Sequence, residues 1–274
     1  MQGHGRARQE ESDRLVRQKV APLKNRAALG GPPEVYAWGP LRARRAFAGH
    51  AGNLWRTLLP SACLICATVQ RDVVCDTCAS QLARPVPRCP RCAIPGAHGH
   101  CGTCADDDPL DAALTLGDYA TPFDTLVLRL KFGGQLPAAA WIAARLAATV
   151  RASQHDLPDL LVPVPLSPSR LAERGFNQAW EIARPLARHL GIPASATLLA
   201  RLRDTASQRT LDLAARLANL RQAFAVAPGT VLDGLHIGLV DDVMTTGATL
   251  REAARVLKAH GAARVTALAA LRTP

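Results

Sequence analysis

Aromatic residues and long hydrophobic runs are scarce in this sequence. Phe, Trp and Tyr make up 4% of the 274 residues, so Leu, Ala and Val must supply most of any core. No stretch reaches the ~18 uninterrupted apolar residues of a membrane-spanning helix, and no apolar signal region with a cleavage site opens the chain. We therefore expect a cytoplasmic protein without a membrane span.

Other absences narrow the classes of fold and ligand. No G-x-G-x-x-G sequence follows a strand-like run, so a dinucleotide-binding fold lacks support. Of the net charge of +11, residues 1–56 carry +7 and the rest of the chain only +4. A mildly basic main body permits nucleic acid binding but does not demonstrate it.

Three segments differ in composition. Residues 1–52 are rich in Arg, Gly and Pro with weak periodicity, which indicates a disordered basic tail or upstream sequence included through a mis-assigned start codon. A basic arm that binds nucleic acid is the alternative. Residues 53–105 contain every cysteine, and residues 106–274, which begin with an acidic linker, hold most of the periodic apolar pattern.

The cysteines follow one spacing pattern that is used twice. A C-x2-C-x8-C-x2-C unit begins at residue 63 and again at residue 89. Each C-x2-C knuckle places two thiolates on one metal, and two knuckles complete a tetrahedral four-thiolate site. We therefore predict two zinc ions, held by Cys63, Cys66, Cys75, Cys78, Cys89, Cys92, Cys101 and Cys104.

Disulfides and iron–sulfur clusters are the competing interpretations of these cysteines. The lack of a secretion signal argues against disulfides. Doubled ribbon-like units favour zinc over iron–sulfur ligation, which composition does not exclude. Sequential pairing of the knuckles is the simplest arrangement, and a crossed one stays open. We interpret His98 and His100 as loop residues rather than ligands.

Beyond the cysteines, strand-like and helix-like segments alternate, which is typical of an α/β fold with a mainly parallel sheet. Strands are predicted at 113–120, 160–165, 197–204, 236–242 and 264–271. Helices are predicted at 124–132, 137–151, 177–190, 212–222 and 248–260. Asn177 is the predicted N-cap of its helix, and Pro185 predicts a kink or a split there.

Two adjacent acids, Asp241 and Asp242, end a buried strand and are followed by a Thr-Thr-Gly-Ala-Thr turn and a helix. Ligands of open α/β sheets collect at such strand ends. Two neighbouring carboxylates resist ionisation unless sugar hydroxyls or a metal satisfies them, and the turn offers N–H groups and a helix N-terminus to a phosphate. The segment therefore predicts a pentose 5-phosphate site. The alternative interpretation is an N-capped helix preceded by acids that face solvent, but it gives the acid pair no role.

The same residues carry a family resemblance. LVDDVMTTGATL (239–250) closely resembles the phosphoribosyl pyrophosphate (PRPP) motif of type I phosphoribosyltransferases. VPVPLSPSRLAERGFNQAWEIARPLA (162–187), LRLKFGG (128–134) and RDTASQRTLDLAARLANLRQAF (203–224) resemble the competence protein F family. The fold implied is a type I phosphoribosyltransferase-like, mainly parallel sheet flanked by helices, with a small N-terminal double zinc ribbon.

The resemblance implies a role for each matching position. The acids would bind the ribose hydroxyls, the turn would hold the 5-phosphate, and the remaining positions would contact the pyrophosphate with Mg2+ or form a mobile loop beside it. No catalytic residue is identified. The PRPP-binding residues so implied are Asp241, Asp242, Val243, Thr245, Thr246, Gly247, Thr249, Pro165, Leu166, Lys131, Arg174, Phe176, Asn177 and Gln178.

Purely structural roles compete with several of these assignments. Lys131 and Arg174 would otherwise be surface cations, Phe176 a core anchor and Asn177 a helix cap. For Phe176 and Asn177 the two roles can coexist.

Three functions follow from the resemblance. The family's link to natural transformation implies handling of single-stranded DNA with other DNA-uptake proteins, with a basic ribbon face at Arg84, Arg88 and Arg91 contacting phosphates. The alternatives are an active phosphoribosyltransferase, a pentosyl glycosyltransferase whose acceptor no residue identifies, and a PRPP-sensing regulator with a protein partner.

Overall fold

The computed structural model describes residues 61–153, 155–202 and 223–274. The predicted basic tail (1–52) and the predicted helix at 212–222 lie outside these ranges. Within the described residues, no helix is both long enough and apolar enough to cross a membrane. In chain order the described elements are β1 (Ser61–Ala62), β2 (Val69–Gln70), α1 (Asp76–Leu82), β3 (Ala112–Asp118), α2 (Asp124–Gly133), α3 (Leu136–Ala152), β4 (Leu160–Pro163), α4 (Pro168–Arg174), α5 (Gln178–Leu190), β5 (Leu199–Arg201), β6 (Phe224–Val226), β7 (His236–Met244), α6 (Ala248–Ala259) and β8 (Arg264–Arg272).

Four parallel strands form the central sheet, in the order β3-β8-β7-β4. Their residues are largely apolar, as in α/β proteins whose sheet is covered on both faces. Strand β7 lies inside the sheet, with Ile237 opposite both Leu160 of β4 and Val265 of β8. The prediction of a mainly parallel α/β sheet is confirmed.

Strand β7 is longer than the sequence predicted. The apolar run indicated an end at Asp242, but pairing with β8 continues through Val243 and Met244. The ladder extends because Leu271 and Arg272 of β8 remain opposite these residues. The acid pair therefore lies inside a paired strand, where the sheet fixes its backbone.

Helices α2, α3 and α5 pack on one face of the sheet. Ile142, Leu146 and Val150 of α3 are buried at helical spacing, as predicted. Helix α5 continues through Pro185, so the predicted split does not occur. Buried Ile182 and Leu186 on either side of the proline belong to the same core cluster, which holds the helix in place despite the missing N–H.

Helix α6 and the antiparallel β5–β6 pair cover the other face. Leu250, Ala253, Ala254 and Leu257 of α6 are buried, in agreement with the predicted apolar stripe. Because α6 starts directly after β7, this packing fixes the turn that joins them.

The cysteine segment packs on both faces of the sheet. Its first unit joins the core cluster that contains α3 and α5, and its second unit joins the cluster that contains α6. Between them the segment contacts β3: the Ala113 N–H donates to the Pro90 carbonyl at 2.9 Å. On the same strand, a Cβ built on Gly117 would lie 2.4 Å from Leu82 Cδ1 of α1. The two units therefore hold the β3 edge between them.

Candidate functional site

The acid pair lines a pocket of about 140 Å³ at the end of strand β7. The Asp242 N–H donates to Asp241 Oδ1 at 2.8 Å, and Asp242 is only 7% exposed. Burial, followed by repulsion from Asp242, raises the pKa of Asp241 to about 8. The two neighbouring carboxyl groups therefore resist full ionisation.

Lys131 reaches this pair from the last turn of α2. Its Nζ lies 3.0 Å from Asp242 Oδ2, and both side chains are largely buried. Helix α2 ends at Gly134, whose φ of 59° closes the helix and positions the preceding turn. The resemblance implied that Lys131 counters pyrophosphate charge, whereas the structure shows it neutralising Asp242.

The Thr-Thr-Gly-Ala-Thr turn joins β7 to α6. Gly247, with a φ of 78°, is the N-cap of the helix. Two arginines hold the carbonyl side of the turn: Arg251 Nη1 donates to the Thr246 carbonyl at 2.7 Å, and Arg272 Nη1 donates to the Thr245 carbonyl. Since the first N–H groups of a helix have no intrahelical partner, the other side of the turn presents donors suited to a phosphate.

Another part of the pocket lining comes from α4 and the start of α5. It contributes Arg170, Arg174 and Gln178, and Arg174 Nη1 donates to Gln178 Oε1 at 3.0 Å. Gln178 is 1% exposed, and its Nε2 has no hydrogen-bond partner among the described residues. A buried amide donor without a partner is costly, so this group is suited to an acceptor atom of a ligand.

Most of the positions implied by the resemblance meet in this pocket. Five of them do not line it: Thr245, Thr246, Gly247, Phe176 and Val243. The first three lie in the turn that leads to Thr249, whereas Phe176 and Val243 pack partly buried against the core. Asn177 caps α5 by accepting from the Ala179 N–H at 2.9 Å and donates to the Val164 carbonyl at 3.1 Å, so it has the predicted structural role at the pocket wall. Those that line the pocket are Lys131, Pro165, Leu166, Arg174, Asn177, Gln178, Asp241, Asp242 and Thr249.

Two further cations of the pocket were not found from the sequence. Arg170 lies one helical turn before Arg174, an i, i+4 spacing that marks a shared helix face and could have identified it. Arg201 comes from β5. The position of Arg201 depends on the pairing of β5 with β6, and a pairing between separate segments has no signature in the sequence next to Arg201.

The eight cysteines form two groups of four, each with its sulfur atoms within 4.8 Å of one another. Zn–S bonds of about 2.3 Å in a tetrahedral site give S–S distances of about 3.8 Å. The observed Sγ distances include 3.7 Å for Cys66–Cys75 and 3.9 Å for Cys89–Cys104. The groups combine sequential knuckles, so the cysteines present fit the two predicted zinc sites.

Hydrogen bonds around the sulfurs repeat with the sequence offset of 26. The N–H of Cys75 points to Cys63 Sγ at 3.4 Å, and the N–H of Cys101 points to Cys89 Sγ at 3.4 Å. Cys66 Sγ lies 3.2 Å from Thr68 Oγ1, and this contact is the largest contribution that lowers the pKa of that thiol to about 6. N–H groups that donate to sulfur stabilise thiolates, the form that binds a metal. Neither His98 nor His100 belongs to either group.

The predicted basic ribbon face is partly engaged in structural contacts. Arg88 pairs with Asp118 at 2.8 Å, and Arg91 Nη1 donates to the Ala105 carbonyl at 2.5 Å. Arg84 is exposed. Of the three arginines, Arg84 is therefore the one best placed to contact an external anion.

Comparison with known proteins matches residues 177–274 to the phosphoribosyl transferase domain family. The DNA utilization protein YhgH of Salmonella typhimurium is 36% identical over 225 residues, covering 78% of this chain and 98% of that protein. Competence protein F of Haemophilus influenzae is 33% identical over 205 residues, covering 70% and 87%.

Among solved structures, the purine phosphoribosyltransferase from Pyrococcus horikoshii is similar at 18% identity and a TM-score of 0.31, over 49% of this chain and 82% of that one. The fold assignment does not depend on this low similarity. It rests on the parallel sheet and on the matched domain family.

Proposed function

The chain belongs to the competence protein F family, and in it two four-cysteine groups precede the matched phosphoribosyl transferase domain; we propose that it binds PRPP, or a related ribose 5-phosphate, together with Mg2+. We further propose that it handles single-stranded DNA in the cytoplasm during DNA uptake. The names of its relatives, a DNA utilization protein and a competence protein, support the second part.

The observation that supports the first part is that the acid pair lines one pocket together with Thr249, the last residue of the N–H-rich turn. Carboxylates accept hydrogen bonds from two neighbouring sugar hydroxyls, whereas N–H groups at a helix start bind a phosphate. Asp241 and Asp242 would therefore face the ribose, and the turn ending at Thr249 would hold its 5-phosphate. Lys131 would keep Asp242 in place.

The cationic wall suits the pyrophosphate end of the ligand. Arg170 and Arg174 line the pocket, and Gln178 adds an amide donor without a partner among the described residues. Proteins bind Mg2+ through one or two carboxylates together with ligand phosphates, and Asp241 and Asp242 are the carboxylates of this pocket. When bound, Mg2+ would neutralise charge on the pyrophosphate oxygens.

Calorimetric titration with PRPP and Mg2+ tests the ligand. The wild-type protein should bind, and the Asp241→Asn/Asp242→Asn variant should lose at least 100-fold in affinity, about 2.7 kcal/mol. Asp106 and Asp107 form another adjacent acid pair, exposed and outside the pocket. Asp106→Asn/Asp107→Asn is thus a control with the same charge change and should bind normally. Equal binding by both variants would reject the site.

A pyrophosphate assay separates a binding protein from a transferase. A transferase should release pyrophosphate from PRPP only when a nitrogen nucleophile is supplied as acceptor. Binding without release across nucleobases and amines would favour PRPP as a ligand or signal.

A further inference from the structure

A second pocket, of about 500 Å³, lies where the cysteine segment meets the edge of the sheet. Strand β3 ends the described sheet and pairs there only with β8. Residues 83–90, which link α1 to the second cysteine unit, and helix α3 provide the walls beside it. This volume falls within the range of about 300–1,000 Å³ typical of small-ligand sites. The pocket shares no lining residue with the acid-pair pocket.

The lining of this pocket is positively charged. Arg84 from the link and Arg145 from α3 are both exposed there, and neither forms an ion pair within the described residues. Arg88, the third arginine of the lining, is paired with Asp118. No Asp or Glu is among the lining residues. The pocket is therefore suited to an anion.

An aromatic ring and a planar guanidinium group lie next to these charges. The Arg145 guanidinium lies over the Trp141 ring, 5.3 Å from its centroid. Unpaired nucleobases stack on aromatic rings and on arginine planes in nucleic-acid-binding proteins. Leu114 and Leu116 add apolar surface to the same pocket. An anion that also carries a planar ring fits this wall better than a bare phosphate does.

We propose that this pocket binds a nucleotide, with the base against the Trp141–Arg145 wall and the phosphate at Arg84 and Arg145. A free nucleotide and one nucleotide of a single strand present this same chemistry. The single strand is the source that accords with the proposed DNA handling, and that part of the inference rests on the proposed function.

Fluorescence anisotropy with labelled ten-residue oligothymidine tests the strand as the source. Arg84→Gln/Arg145→Gln should weaken binding at least tenfold. Arg71 and Arg188 are also exposed, one in the cysteine segment and one on a helix, and neither lines the pocket. Arg71→Gln/Arg188→Gln therefore makes the same charge change and should stay within twofold of the wild type. An abasic strand of equal charge should bind the wild type at least fivefold more weakly.

Thymidine 5′-monophosphate tests the free nucleotide: it should quench the fluorescence of the wild type, and Trp141→Phe should remove the quenching.

The outcomes separate the inference from the proposed function. Quenching by the mononucleotide without any effect of the pocket variants on strand binding would keep the nucleotide pocket and reject the strand as its occupant. If strand affinity is unchanged in every pocket variant and the mononucleotide causes no quenching, the nucleotide pocket is rejected and the proposal of DNA handling is unaffected. Quenching by the mononucleotide with no strand binding at all would reject DNA handling and keep the pocket.

Discussion

At the scale of single residues, the acid pair combines a function with a cost in stability. Asp241 is held beside Asp242 in a buried setting that raises its pKa from 3.8 to about 8. An acid with a raised pKa favours the folded state only in its neutral form. The contribution of the neutral carboxyl to the free energy of unfolding is fully present below about pH 4, where Asp241 is also protonated in the unfolded chain. It is lost as the pH rises through about 8, the pKa in the folded state.

Asp241→Asn should therefore stabilise the unliganded protein in a pH-dependent way. At pH 5 Asp241 is still neutral in the folded protein but already ionised in the unfolded chain, so the gain in Tm should be smaller than at pH 8. At pH 8 the variant should melt about 2–4 °C higher, the shift that about 1 kcal/mol produces in a chain of this size. Thermal unfolding at the two pH values checks this. A Tm difference that is the same at pH 5 and pH 8 would contradict the raised pKa.

Gly247 is required by both backbone conformation and space. Its φ is 78°, and a Cβ would lie 2.7 Å from Met244 Cε and 2.9 Å from Arg251 Nη1. Gly247→Ala should destabilise the protein by about 1–2 kcal/mol for the left-handed backbone alone and weaken PRPP binding at least tenfold, as measured by calorimetry.

Gly191 supplies the matched control for this substitution. Its φ is 74°, but a Cβ there would meet nothing within 4 Å. Gly191→Ala should carry the same backbone cost and leave PRPP affinity unchanged. Unchanged affinity in Gly247→Ala as well would mean that the turn does not hold the phosphate.

At the scale of elements, β8 connects the second cysteine group to the turn after β7. Arg272, 6% exposed, donates through Nε to the Cys92 carbonyl at 3.0 Å and through Nη1 to the Met244 carbonyl at 3.2 Å. The acidic linker reaches the same turn, because Asp108 binds Arg251 Nε at 2.7 Å. The cysteine segment therefore supports the candidate phosphate cradle.

Arg272→Met should weaken PRPP binding at least fivefold, although Arg272 does not line the acid-pair pocket. The substitution removes the donor of the Cys92 and Thr245 carbonyls, so the turn loses a fixed position, although the Met244 carbonyl keeps the Thr273 N–H. Arg264→Met, at the other end of β8, is the control and should bind normally. Calorimetry below the unfolding range of both variants separates affinity from stability. Normal affinity in Arg272→Met would show that the turn is held without this residue.

The sequence predicted the elements whose signals are local. The stripes of α3 and α6, the cap at Asn177 and the two cysteine units follow from spacing within a few residues, and the structure confirms them. The Lys131–Asp242 ion pair and the place of Arg272 join residues more than a hundred positions apart. Such contacts depend on tertiary packing, which periodicity does not encode.

At the scale of the whole molecule, the two metal groups should fold and bind independently. Cys63→Ala/Cys75→Ala removes two ligands from one group, so the variant should retain one zinc ion per chain by elemental analysis, against two in the wild type. With crossed knuckles the same variant would damage both sites and retain none. Chelation of the wild-type protein should lower Tm, because a segment this short depends on its metals for folding.

The central claim is a pentose 5-phosphate site formed by the acid pair and the turn before α6. A crystal structure of the protein with PRPP and Mg2+ tests it most directly. We expect the 5-phosphate to lie on the N–H groups of residues 245–249 and the ribose hydroxyls to lie within hydrogen-bond distance of Asp241 and Asp242. A phosphate bound elsewhere, with that turn vacant at saturating ligand, would contradict it.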